Sequence, residues 1–169
     1  MSFSQADTHA NDISLAHTSS QPMSLAPIGN DIYVHHGAHL DIDTGYQGDI
    51  CNLSVVIGKK GVAVIDTGGS YQVGQQLHDA IRKITPLPIL FVINTHVHPD
   101  HMYGNAAFVN DHPAFVGHAK LGHAMQVREE AYAKLNEKYL GHAAKGSVLV
   151  KPTMPISQVT TLDLGGRTL

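Results

Sequence analysis

Four potential metal ligands crowd into six positions of this chain. They are His96, His98, Asp100 and His101, in the run Thr95-His96-Val97-His98-Pro99-Asp100-His101. Imidazole nitrogen together with carboxylate oxygen suits zinc. Non-haem iron and manganese accept the same donors. Two histidines on one cation, with Asp100 and His101 on a second, would give a dinuclear centre whose ions lie about 3.5–4 Å apart. Such a centre lowers the pKa of a bound water to about 7, which supplies a hydroxide nucleophile at neutral pH. His96 and His98 are two residues apart, so an extended backbone turns both side chains to one side and Val97 to the other. Pro99 fixes φ and lacks an N–H, which favours a turn that swings Asp100 and His101 beside the pair. A lone His-x-His carries little weight in a chain with 13 histidines. The full His-x-His-x-Asp-His order behind an apolar strand carries much more.

The elements that must position this run can be read around it. Ile89-Leu90-Phe91-Val92-Ile93 is an apolar strand that delivers the chain to His96. Val62-Ala63-Val64-Ile65 is a second continuous apolar run, the pattern of a strand buried on both faces. It pairs with Asn52–Ile57 across the short Gly58-Lys59-Lys60-Gly61 turn as an antiparallel hairpin. It ends at Asp66, which reads as an acceptor that orients a ligand or the ligand loop, with a cap or turn acid before Gly68-Gly69 as the alternative. Ser70 is placed to N-cap a helix over 71–84, with Val73, Leu77, Ile81 and Ile84 on one face. Ile28, Ile32 and Val34 fit one first strand ending at His35-His36-Gly37. Ala114-Phe115-Val116 is a short strand, and Lys120 to about Leu140 a second long helix with Leu121, Met125, Tyr132, Leu135 and Tyr139 inward. Val159 to Leu169 reads as a strand, a Gly-Gly turn and the opening of another strand. Alternating strands and helices give an α/β class. Residues 1–26 are polar and aperiodic and read as a disordered tail; residues 27–169 form the domain.

Bulk properties narrow the partners. The formal charge is −3 and no Lys/Arg run is longer than Lys59-Lys60, which argues against nucleic acid. No stretch is long and apolar enough to span a membrane, and no export signal is visible at the N-terminus. A small-molecule substrate fits best. The one cysteine, Cys51, reads as a small buried residue at a strand start. His35, His36 and His39 read as surface residues.

The pattern His96-x-His98-x-Asp100-His101, with Val64-Ile65-Asp66-Thr67-Gly68-Gly69 about thirty residues earlier, resembles the metallo-β-lactamase fold superfamily. Ile32–Gly37, Val64–Ser70 and Val92–Phe108 look more narrowly like the quinoprotein relay system zinc metallohydrolases. The resemblance implies an αββα sandwich. It implies His96 and His98 on a first zinc and Asp100 and His101 on a second, with Asp100 also helping to hold the attacking hydroxide as its catalytic residue. The implied reaction is attack of that hydroxide on a carbonyl or ester. The narrower family is associated with periplasmic systems.

The family completes its site with a Gly-His-Thr-like histidine, a bridging carboxylate and a final histidine from the second half of the domain. Here Leu162–Leu169 resembles the segment just before the Gly-His run, and nothing later matches those ligands. The expectation is therefore the N-terminal half of a hydrolase domain, incomplete at its C-terminus. It would comprise one mixed sheet with helices on its outer face and would be inactive alone. Its uncovered apolar sheet face would favour self-association. Two other readings stay open: a non-catalytic metal-binding or interaction half-domain, and an iron-dependent redox member of the same fold.

Overall fold

The computed structural model describes residues 22–43 and 45–169; most of the tail read from the sequence, 1–21, lies outside them. Seven strands form one mixed sheet in strict chain order. They are β1 (Ala26–Gly29), β2 (Ile32–His35), β3 (Leu53–Ile57), β4 (Val62–Ile65), β5 (Ile89–Ile93), β6 (Ala114–His118) and β7 (Met154–Ile156). The first four are antiparallel to their neighbours, and β4 to β7 run parallel. Three helices are interspersed: α1 (Tyr71–Ile84), α2 (Pro99–Met102) and α3 (Leu121–Leu140), with a 3-10 segment over Tyr103–Asp111 following α2. This bears out the α/β reading with a mixed sheet and outer helices.

Several boundaries differ from the sequence reading, each for a local reason. The single strand expected over Ile28–Val34 is a hairpin. Asn30 and Asp31 both take left-handed φ values, 48° and 56°, the geometry of a tight turn matched to strand twist. β1 also begins at Ala26, and Met23 and Leu25 pack against the core. The strand expected from Val159 is absent: Val159 is fully exposed. β7 instead forms earlier, around Pro155, which is tolerated at a sheet edge. The Gly-Gly turn is real, since Leu162 and Leu169 exchange backbone hydrogen bonds of 3.0 Å around it.

The core lies between the sheet and α1. Ser70 Oγ accepts from Val73 N at 3.2 Å and starts the helix. Val73, Leu77 and Ile81 then pack on Leu53, Val55, Val62, Val64, Ile89 and Val92. Each such aliphatic chain gains about 1.5–3 kcal/mol from burial. α1 also meets the 3-10 segment backbone to backbone, since a β-carbon on Gly74 would fall 2.3 Å from Gly104 O. The opposite sheet face is different. Val56 and Ala63 are buried there under Leu164, while Ile32, Ile65, Leu90, Phe91 and Ile93 are only partly covered. That face is therefore not bare, as the sequence suggested. The 162–169 hairpin docks on the β3–β4 turn through Lys59 N to Gly165 O and Lys60 N to Leu164 O. No described helix is long and apolar enough to cross a membrane.

Candidate metal centre

The site lies where β4 and β5, adjacent and parallel, release the chain at their carboxyl ends. β4 releases Asp66 and β5 releases Asn94-Thr95-His96. The strand stops at Ile93, so His96 and His98 come together through a bend and not through the extended backbone expected. Their rings meet edge to face at 4.6 Å between centroids, and His96 lies 4.0 Å from the His101 ring. Val97 does turn away, packing against Met102, Tyr103, Leu121 and Met125. Pro99 occupies the first turn of α2, where its missing N–H removes no helical bond. α2 thereby carries Asp100 and His101 to the pair.

Asp66 organises the group. It is 3 % exposed and its φ is +57°, a left-handed conformation costly for a residue with a side chain. Its carboxylate accepts three hydrogen bonds. Thr95 N donates to Oδ1 at 2.9 Å, Thr95 Oγ1 to Oδ2 at 2.6 Å, and His101 Nδ1 to Oδ2 at 2.8 Å. Because the Thr95 hydroxyl proton is committed to Asp66, its oxygen accepts from His96 Nδ1 at 2.9 Å. Asp66 thus fixes one ring directly and one through Thr95, turning the Nε2 edge of each away from it. His101 Nε2 stands 3.2 Å from Asp100 Oδ2.

The electrostatics follow from these contacts. Burial lowers the basicity of His101, but the carboxylates of Asp100 and Asp66 outweigh it and raise the pKa to about 9. Burial alone would raise Asp100, yet the hydrogen bond and charge of His101, with His98 beyond, hold it below the usual carboxylate value. His96 is lowered by burial and then by the positive charges of His101 and His98.

Two sets of side chains bring three ligand atoms within 4.8 Å of one another among the described residues. One is Asp66, His96 and His101; the other is Cys51, Asp100 and His101. Imidazole, carboxylate and thiol are the donors zinc takes, so the residues fit such a cation. His98 belongs to neither set: it stands exposed beside His96. Of the predicted residues, then, His96, Asp100 and His101 converge, Asp66 orients them, and His98 sits at the rim.

A buried amide network holds the loop from behind, and sequence reasoning assigned it no role. Asn105 Nδ2 donates to Asn94 Oδ1 at 2.7 Å, and Asn94 Nδ2 returns to Asn105 Oδ1 at 3.1 Å. Thr67 Oγ1 also donates to Asn105 Oδ1, at 2.8 Å, and Thr67 N to His101 O at 3.0 Å. A polar Asn94 directly after the apolar β5 was the available signal. His35, read as a surface residue, is instead partly buried on Asp49, with Nε2 2.8 Å from Oδ1; His36 and His39 are exposed.

Comparison with known proteins bears on the family and the fold. The model of the metallo-beta-lactamase superfamily matches residues 46–168. A linear primary-alkylsulfatase from Pseudomonas sp. (strain ATCC 19151) is 34% identical over 62 residues, which is 37% of this chain and 12% of that protein. A metallo-beta-lactamase from Pontibacter korlensis superposes with a TM-score of 0.62 at 18% identity, covering 86% of this chain and 58% of that one. One from Erythrobacter litoralis gives 0.59 at 20% identity, covering 80% and 50%. One from Pseudomonas aeruginosa, in a mono-zinc form, gives 0.58 at 16% identity, covering 80% and 51%. The chain thus spans about half the length of these solved structures.

Proposed function

The chain belongs to the metallo-β-lactamase superfamily, and from that premise we propose that it carries part of a dinuclear zinc hydrolase centre. His96 and His98 hold one ion, and Asp100 and His101 the other. The observation that carries this reading is the Asp66 network. It commits Nδ1 of His101 to Asp66 and Nδ1 of His96 to Thr95, so each ring offers Nε2. When bound, zinc supplies Lewis acidity and lowers the pKa of a water to about 7.

The chain's own residues do the rest. Asp66 and Thr95 set the ring orientations. Asp100, held ionised beside His101, offers a carboxylate oxygen at the reacting centre. The substrate is a small molecule with a carbonyl or ester group; the name of the sulfatase relative puts sulfate esters among the candidates. His96 and His98 give one ion two imidazoles, whereas catalytic zinc sites usually have three protein ligands. The reading therefore includes further ligands beyond this set, and the 169-residue chain on its own is expected not to turn over. The partly covered face around Ile65, Phe91 and Ile93 is where a further layer, or a second copy, would pack.

Zinc titration by calorimetry, with elemental analysis of the loaded protein, tests the centre. His98→Ala and Asp100→Ala are each expected to lose one zinc while the far-ultraviolet circular dichroism stays unchanged. Unaltered zinc binding in both variants would remove the assignment. Metal-dependent ester or lactam hydrolysis by the isolated monomer would overturn its expected inactivity.

A further inference from the structure

Cys51 reads from the sequence as a small buried residue, and the superfamily resemblance gives it no part in the centre. The structure places it elsewhere in chemical terms. It enters at the start of β3, beneath α2, and its Sγ lies 2.8 Å from the backbone oxygen of Asp100. Its sulfur, an Asp100 carboxylate oxygen and a ring nitrogen of His101 all lie within 4.8 Å of one another. That is one soft donor, one hard donor and one imidazole around a single point.

A second observation comes from Tyr46. Its side chain is 2 % exposed, and its hydroxyl has no hydrogen-bond partner among the described residues. A β-carbon on Gly69 would fall 2.0 Å from that hydroxyl and 3.2 Å from Asp100 Cα. The orphaned donor is therefore wedged against the backbone that carries Asp100. A buried hydroxyl without a partner is costly, so a polar group beside Asp100 is left unmatched by the described side chains. Burial and the surrounding carboxylates push the Cys51 thiol pKa up, so a cation would be required to ionise it.

We propose that Cys51 is a metal ligand, forming with Asp100 and His101 a three-donor site for a zinc-like, thiophilic divalent cation. The inference rests on the reading of Asp100 and His101 as ligands. Binding exchanges the Cys51 thiol proton for the cation and releases that proton to solvent. The second ion then has three protein ligands from this chain, the number usual for a catalytic zinc, whereas the His96–His98 ion does not.

Cobalt(II) reports this directly. The 169-residue chain loaded with cobalt is expected to show a sulfur-to-cobalt charge-transfer band in the near ultraviolet, saturating at one per chain. The chain has a single cysteine, so the band has one source, and the wild-type spectrum decides without depending on a variant that folds. In Cys51→Ser the band is lost while the visible ligand-field bands persist. Ligand-field bands without a sulfur band in the wild type would overturn the role of Cys51 and leave the centre standing. Absence of all cobalt bands would overturn the centre itself. Survival of the band in Cys51→Ser would equally remove the assignment.

Discussion

Two aspartates gather donors in this fold, and they gather them for different ends. Asp66 collects Thr95 and His101 at the carboxyl edge of the sheet. Asp111 collects His78 at 3.0 Å and Arg82 at 2.6 Å, tying α1 to the end of the 3-10 segment. Both are aspartate–histidine pairs, yet they differ in what the second ring nitrogen meets. At Asp111 the His78 ring bonds through Nε2, packs edge-on to Phe108 at 5.6 Å, and has Nδ1 3.9 Å from Asp79. Both nitrogens face carboxylates, and the second of these, Asp79, is largely exposed, whereas the Asp100 beside His101 is largely buried. At Asp66 the histidine bonds through Nδ1, and its Nε2 faces Asp100 and the other rings. A histidine–carboxylate contact is thus not a functional signal in itself. Which nitrogen it uses, and what the other one meets, decides.

Substitutions can break this contrast. The largest effect is expected from Asp66→Ala, which strands Thr95 N and a charged His101 in a buried setting. Breaking such a pair costs about 3–5 kcal/mol, to be read as a drop in the urea midpoint. Asp66→Asn keeps the shape and tolerates the left-handed backbone. It is expected to lower zinc affinity about 10–100-fold with the fold intact; unchanged affinity by calorimetry would show that Asp66 does not orient the rings. Asp111→Ala is the control. It should cost about 1–3 kcal/mol of stability and leave zinc affinity within about twofold, and a large affinity loss there would erase the contrast.

The smallest effect concerns His35 on Asp49. The hydrogen bond to Asp49 outweighs burial and raises its pKa above 6.5. The stability this contributes is complete below 6.5 and fades as pH rises through the higher folded value. The pair is partly solvated, so it is worth about 1 kcal/mol or less. His35→Gln should flatten the difference in urea midpoint from wild type between about pH 6 and about pH 9. A slope identical to wild type would remove His35 from the pH response.

What the sequence disclosed follows the same division between local and distant. α1 was legible over its full length, because its cap is Ser70 and its apolar face repeats at helical spacing. β4 was legible because three consecutive residues with no exposed surface leave an unbroken apolar run. The His96–His101 run was legible because its chemistry lies within six positions. The Asn30-Asp31 turn was missed because two polar residues between short apolar pairs look like an exposed point on one strand. β7 was missed because three residues containing a proline carry almost no pattern. The Asn94–Asn105 lock, the Tyr46 hydroxyl and the approach of Cys51 to Asp100 depend on contacts 11 to 49 residues apart in the chain. No window of sequence spans them.

The strict chain order of the sheet has a consequence for how the molecule is made. Each strand after the first adds beside the strand just formed, so no earlier edge must wait for a distant segment to be inserted. A chain emerging from the ribosome N-terminus first can extend the sheet one strand at a time. By the time β6 has paired with β5, at His118, every residue of the candidate centre from Cys51 to His101 has been synthesised and Asp66 can already hold His101. The Asp66 scaffold can therefore assemble before α3 has formed.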